Sequence, residues 1–329
     1  MADKETILIT GATGFIGSTL TEICVSNGFD VVAFDRYNPN NHWGWLEQSE
    51  YKSALNIILG DIRDYDSVYA AMKNCSTVFH LAALGGIPYS YISPLAYIRT
   101  NIEGTYNVLE AARHLGLSQV LVTSTSETYG TAQYTPMDEH HPCVAQSPYA
   151  ATKISADQLA ISYHRSFGLP VKIVRPFNVY GPRQSARAII PTIIGQLLDG
   201  NNTISLGNTS PTRDLTFVDD TCYAFLEIYK SNQLLGEVVN VGTNSEISIA
   251  DLAHLIANLM NKQLTIEVSE ERARPTNSEV DRLVCDNSKL LSHSSWEPTH
   301  SLKQGLSMVI EWMAKPENAA YYKSDRYNV

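Results

Sequence analysis

The 329 residues are 44% hydrophobic and 18% charged, a balance that suits a soluble globular enzyme of one large or two coupled domains. A net charge of −10 excludes broad electrostatic attraction to nucleic acid or anionic membrane surfaces, and no run of about 18 apolar residues offers a membrane span. The five cysteines, Cys24, Cys75, Cys143, Cys222 and Cys285, include no Cys-x-x-Cys pair, so reduced thiols in a cytoplasmic protein are expected and a metal site is not.

In chain order, Met1 to Glu5 leads into an apolar strand, Thr6 to Thr10, without the basic-then-apolar pattern of a targeting segment. Gly11-Ala-Thr-Gly14-Phe-Ile-Gly17 then opens a helix predicted to run to about Asn27. Glycines at this bend permit a tight turn, let a pyrophosphate approach the backbone and leave the N–H donors of the helix start free. The Gly-x-x-Gly-x-x-Gly spacing resembles the extended branch of the short-chain dehydrogenase/reductase superfamily. A second strand from Asp30 ends at Asp35, 24 residues past Gly11, where a carboxylate accepts from the ribose hydroxyls of NAD and repels the phosphate of NADP. Arg36 follows and partly offsets that repulsion.

The βα pattern continues through Asn56 to Leu59, Gly60-Asp61-Ile62 and Thr77 to Ala83. In the resemblance, Asp61 and Ile62 face the adenine, Leu81, Ala82 and Ala83 line the cofactor together with Gly11, Thr13, Gly14, Phe15, Ile16 and Gly17, and His80 is a packed strand residue. Residues 97–114 predict one amphipathic helix containing Asn101, a further cofactor residue. Gln119 to Ser124 predicts a strand that delivers Ser124-Thr-Ser-Glu127 at its carboxyl edge, where open parallel sheets bind ligands.

Tyr149 stands four residues before Lys153, and an ammonium one helical turn from a phenol favours the phenolate as a hydroxyl base. Thr125 would hydrogen-bond the sugar O4 and Glu127 would take the C5 proton that a C4 ketone acidifies. That chemistry is the 4,6-dehydration of a nucleotide sugar, and Thr-Ser-Glu resembles the triplet of GDP-mannose dehydratases. Ser126 stands where dTDP-glucose enzymes carry an aspartate, which leaves the acid for O6 open between Glu127 and a Ser126–water relay. UDP-glucuronate decarboxylases share the triplet. Tyr37 to Glu47, Ile87 to Pro94, Ser147 to Lys153, Arg175 to Arg187, Asn277 to Val280 and Tyr322 to Val329 together resemble the NAD-dependent 4,6-dehydratases of the legionaminic-acid pathway. Those enzymes act on UDP- or GDP-linked N-acetylglucosamine with retention at C5.

The expected architecture is a doubly wound α/β Rossmann domain with a parallel sheet, residues 1–175 with a return segment at about 214–235. A smaller α/β nucleotide-sugar-binding domain, residues 176–329, completes it. Its substrate residues by resemblance or residue type are Asn178 at the diphosphate, Arg213 as a forked pyrophosphate clamp, and Arg274 with Glu279 at phosphate and ribose. Arg187, and Tyr89 and Ser90 near the hexose, complete the set. Asp219 or Asp220 is expected as a helix N-cap, Ser248 with Asp251 as a capping-box-like start, and His140-His141 as an exposed loop. The resemblance also implies a homodimer through a four-helix bundle, with Ile98, Val108, Leu159 and Tyr163 as compatible positions. A UDP-uronate decarboxylase or UDP-sugar 4-epimerase on the same scaffold is the enzymatic alternative; a non-catalytic NAD-binding regulator is the other.

Overall fold

The computed structural model describes residues 4–323; residues 324–329, the end of the Tyr322 to Val329 segment, lie outside the described residues. Five β-branched or apolar runs and their successors form strands β1 (Thr6–Thr10), β2 (Asp30–Arg36), β3 (Asn56–Gly60), β4 (Thr77–His80), β5 (Gln119–Thr123), β6 (Val171–Pro176), β7 (Asn178–Tyr180), β8 (Thr203–Leu206), β9 (Thr212–Phe217), β10 (Val238–Val241), β11 (Glu246–Ser248), β12 (Thr265–Val268) and β13 (Arg282–Leu283). The large sheet runs β10-β6-β5-β4-β1-β2-β3 with all neighbours parallel. Chain order reverses between β1 and β4, so a ligand crevice opens beyond their carboxyl ends.

Both faces of that sheet are covered. Side chains alternate along a strand, so Ile7 and Ile9 enter one core cluster and Leu8 the other. Helix α1 (Phe15–Ser26) lies on the first face; α2 (Tyr65–Met72) packs with others on the second. Two short helices, α3 (Ile87–Ile92) and α4 (Pro94–Tyr97), precede α5 (Gly104–Leu115), and α6 (Pro148–Phe167) follows β5. The single helix expected over 97–114 is instead interrupted by a π-helical stretch, Ile98–Glu103. Wider turns of this kind admit a side chain to a site, and here the stretch carries Asn101. Val108 is fully buried and Tyr163 nearly so within their own chain's core, whereas Ile98 is exposed.

The second half holds α7 (Ile189–Leu198), α8 (Val218–Lys230) and α9 (Ile249–Leu259), with a small sheet of β7, β9, β11 and β13. Helix α8 contacts α1 and so belongs spatially with the first half. Its N-cap is Phe217, not Asp219 or Asp220, which sit in the first turn. Asp220 is drawn away by Thr299 and His300, which donate to it through backbone and side chain at 2.7–3.1 Å. Ser248 does cap α9, accepting from Asp251 N at 3.0 Å. His140 is exposed as expected, but His141 is buried: its ring lies against Tyr129 and Tyr134 and accepts from Gln133 N at 2.9 Å.

An aromatic clasp joins the two ends of the described chain. Trp45 N donates to Thr13 O at 3.1 Å, and the Trp45 ring packs edgewise on Trp312 and Tyr321, with centroids 5.4 and 4.7 Å away. Tyr322 in turn donates to Gln184 O at 2.8 Å.

Candidate active site

The glycine turn after β1 is built by close backbone approach. A Cβ on Gly17 would stand 2.0 Å from Gly11 O, and one on Gly11, whose φ is +71°, would stand 2.9 Å from Ala82 N. Only glycine fits either position. The first turn of α1 has no acidic residue and no side-chain cap, so its N–H groups remain oriented for an anion. Thr13 donates to Asp35 Oδ2 from its backbone N at 2.8 Å and from Oγ1 at 2.6 Å, tying the turn to the end of β2. Arg36 N donates to the other oxygen at 2.6 Å, and Arg36 itself is exposed.

Leu81 N and Ala82 N, just past β4, each donate to Thr10 Oγ1 at 3.2 Å, which seats this segment beside the turn, with Ala83 exposed at the crevice. Asp61 forms a fork with Arg63 at 2.5–3.1 Å, and that pairing holds its carboxyl below the ordinary range. Ile62 is buried against Gly104. Asn101 is also buried. Its amide donates to Leu84 O and Thr152 Oγ1 at 3.1 and 3.0 Å and accepts from Leu84 N at 2.9 Å. It thereby pins the segment after β4 to helix α6.

Ser147 caps α6, and the helix presents Tyr149 and Lys153 on one face. The run after β5 forms a tight turn, Ser126–Tyr129, capped by Thr125. Thr125 hydrogen-bonds the Tyr149 phenol, and the Glu127 carboxylate acts on the same phenol through space. Burial pushes the Tyr149 phenol above its ordinary value, with the Thr125 bond opposing. Burial holds the Lys153 ammonium below its own, with Asp157 opposing, while Nζ donates to Thr123 O at 2.5 Å. Burial thus works against charge on either group, so a phenolate here depends on neighbouring positive charge. Tyr97, which sequence reasoning did not select, packs edgewise on Tyr149 at 6.2 Å and donates to Gly86 O. Ser126 is buried, as is Glu127 at 8% exposure.

Across the cleft, Arg213 is 6% exposed and faces Glu127; burial and the Arg274 charge keep its guanidinium below the ordinary value. Glu279 lies 3.5 Å from both Arg213 Nη2 and Arg274 Nη1. The buried Oδ1 of Asn178 makes no hydrogen bond, and the buried Nη1 of Arg274 makes none beyond its 3.5 Å ion pair with Glu279, so both retain hydrogen-bonding capacity that a ligand can satisfy. Arg187 lies over Gly86, where a Cβ would meet its Nη1 at 2.8 Å. Tyr89 is exposed beside Tyr97, whereas the buried Ser90 hydroxyl donates to Ile87 O at 2.7 Å within its own helix. Tyr91 bridges to Ser278 Oγ at 2.6 Å, linking α3 to the Arg274–Glu279 loop. Among the described residues no cluster of His, Cys, Asp or Glu could hold a metal ion. The glycine cradle, the Thr13–Asp35 tie and the open helix start together fit a dinucleotide.

The chain matches the family model described as GDP-mannose 4,6 dehydratase over residues 8–309. It is 30% identical over 323 residues to a dTDP-glucose 4,6-dehydratase of Streptomyces antibioticus, covering 96% of this chain and 94% of that one. It is 32% identical over 329 residues to a UDP-N-acetyl-alpha-D-glucosaminuronate decarboxylase of Bacillus cytotoxicus, covering 96% and 99%. The dTDP-glucose 4,6-dehydratase DesIV of Streptomyces venezuelae, solved with NAD and TYD bound, superposes with a TM-score of 0.86 at 26% identity, covering 97% and 99%. The glycine turn, the Tyr149–Lys153 helix and the Thr125–Glu127 edge thus lie within an end-to-end likeness, and the chain belongs to the nucleotide-sugar dehydratase and epimerase family of extended short-chain dehydrogenases, under the GDP-mannose 4,6 dehydratase model.

Proposed function

We propose that this protein carries out the NAD-dependent 4,6-dehydration of a nucleotide-linked N-acetylglucosamine, UDP favoured and GDP the alternative nucleotide. The observation that carries the reading is the placement of a buried carboxylate, Glu127, beside the Thr125–Tyr149 pair at the carboxyl edge of β5. The turn Gly11–Gly17, with Asp35 at the ribose, would hold NAD, which when bound accepts the hydride from C4 and returns it to C6. Tyr149 takes the proton of the 4-hydroxyl, and Thr125 holds O4 as it becomes a ketone. The ketone acidifies C5, and Glu127 removes that proton. O6 then leaves with a proton as water, supplied by Glu127 or relayed through Ser126. A solvent proton at C5 completes the 4-keto-6-deoxy product, so the net change is loss of one water. Arg213, Arg274 and Asn178 hold the diphosphate and Glu279 the nucleoside ribose. A homodimer formed through residues 98–114 and α6, with Ile98 and Leu159 at the contact, belongs to the same reading, as does a cytoplasmic setting.

The Thr-Ser-Glu triplet and the likeness to the Bacillus cytotoxicus decarboxylase support a second reading, in which the C4 ketone serves as electron sink for carbon dioxide loss from a uronate. Mass spectrometry of UDP-GlcNAc, GDP-GlcNAc and UDP-glucuronate incubated separately with the protein and NAD decides between them. Loss of water from an N-acetylhexosamine substrate supports the dehydratase and names its nucleotide. Loss of carbon dioxide from the uronate overturns it.

A further inference from the structure

Three elements carry the reacting side chains, and one buried cation touches all of them. Arg175, 3% exposed at the end of β6, donates from Nη2 to Asp157 Oδ2 at 2.7 Å and from Nε to Ser124 Oγ at 3.3 Å. Its Cζ lies 4.6 Å from the centroid of the Tyr129 ring. Asp157 is one helical turn past Lys153 on α6; Ser124 immediately precedes Thr125; Tyr129 closes the turn that carries Glu127. Ser124 also donates to Asp157 Oδ2 at 2.6 Å, and the Tyr129 hydroxyl donates to Asn240 Oδ1 on β10 at 2.8 Å.

The two halves of the site are anchored unequally. Helix α6 is also held by Lys153 on Thr123 O and by Asn101 on Thr152. The turn has Thr128 N on Thr125 O, Gly130 N on Glu127 O and Val144 N on Thr128 O, bonds that hold its shape and its outer side. Its start is tied to α6 by Thr125 on the Tyr149 phenol and by Ser124 on Asp157, and its far end, past Glu127, is registered through Tyr129 and Arg175. A guanidinium does this because it forks two hydrogen bonds in its plane and offers a flat face to an aromatic ring; an ammonium does only one of these well.

We propose that Arg175 is a positioning residue that registers the Glu127 turn against the Tyr149–Lys153 helix, so that its loss separates proton removal at C5 from oxidation at C4. This rests on the roles given above to Tyr149 and Glu127. A displacement of about 1 Å at a reacting group costs roughly 100-fold in its step. The shift falls on Glu127 and spares Tyr149, which α6 holds independently.

Arg175→Lys tests this, because it keeps the charge opposite Asp157 and loses the fork and the flat face. In the protein without added substrate, amide hydrogen exchange in peptides covering residues 125–130 should accelerate about tenfold or more, with residues 149–157 unchanged. In a single turnover with the N-acetylglucosamine nucleotide, nicotinamide reduction should stay within about threefold of wild type while water loss falls roughly 100-fold, so reduced cofactor accumulates. Glu127→Gln should accumulate reduced cofactor in the same way with exchange unaltered, which separates loss of the base from its displacement. Equal slowing of both steps, or unaltered exchange at residues 125–130, overturns the proposal. A wild-type protein that releases no water from any N-acetylhexosamine nucleotide overturns the reading of function instead, and the exchange measurement still decides the positioning.

Discussion

His80 couples the protein's stability in acid to a buried imidazole near Lys153. Its ring is 2% exposed and satisfied on both sides, with Nδ1 2.8 Å from Thr10 Oγ1 and Nε2 3.1 Å from Thr105 Oγ1. Thr105 spends its own hydroxyl proton on Asn101 O at 2.6 Å, so Nε2 must donate to it and Nδ1 must accept from Thr10. The network therefore assigns the neutral tautomer. A second proton on Nδ1 would face an oxygen already accepting from Leu81 N and Ala82 N. Burial first, and the Lys153 charge second, take the imidazole from an ordinary 6.5 down to about 3. The sign follows from linkage. Above about pH 6.5 neither folded nor unfolded chain protonates this ring; as pH falls toward about 3 only the unfolded chain does, and stability drains away. At about 1.4 kcal/mol per pH unit the full loss is on the order of 4–5 kcal/mol, an upper figure for one group. His80→Gln removes the titration and keeps a donor for Thr105. Urea midpoints from about pH 7 to pH 4 should show the variant weaker at neutral pH by about 1–2 kcal/mol yet losing less with acid, by up to one proton's slope. Parallel acid limbs for the two proteins would refute the reasoning.

Other perturbations address the site directly. Glu127→Gln should lower water loss by about 10²–10⁴-fold while C4 oxidation continues, read as accumulating reduced nicotinamide; unchanged turnover removes Glu127 from the chemistry. Gly17→Ala places a Cβ 2.0 Å from Gly11 O, so the turn must open, costing about 1–3 kcal/mol of stability and at least tenfold in NAD affinity by calorimetry. Tight NAD binding by that variant would show that the turn is not the cradle. Arg213→Lys keeps a charge and loses the fork, and its KM for the nucleotide sugar should rise roughly 10–100-fold with a smaller change in kcat. A variant with only kcat reduced would place Arg213 with Glu127 rather than with the diphosphate.

The features legible in the sequence were those with local causes. Periodicity and glycine spacing predicted a parallel Rossmann sheet and the turn after Thr10, and the fold carries them. The rule that strand edges deliver ligand-facing residues placed Ser124 to Glu127 beyond the carboxyl end of β5, whereas Tyr149 reaches them from helix α6. What was not legible is tertiary. Residues 97–114 carry a continuous helical pattern, and nothing local in it marks the π-helical stretch that carries Asn101 to Leu84 and Thr152. His141 follows an exposed neighbour and precedes a proline, and no local signal says that Tyr129 and Tyr134 bury it. Asp157 did leave a trace, since Tyr149, Lys153 and Asp157 recur every four residues on one face of α6. Its partner Arg175, on another strand, did not. Asp61 shows how a near neighbour alters a site residue, since Arg63 takes both carboxylate oxygens.

The Trp45 clasp bears on how the molecule is made. Thr13 belongs to a turn that local glycine geometry can shape as soon as β1 and α1 leave the ribosome, but the indole of Trp45, whose backbone bonds Thr13 O, awaits Trp312 and Tyr321. Pairing of such sequence-distant residues closes a very long loop and is slow to form. A nascent chain thus holds a shaped turn well before the residues that pack on Trp45 have been made, and the clasp is completed only when the helix Leu302–Met313 has docked.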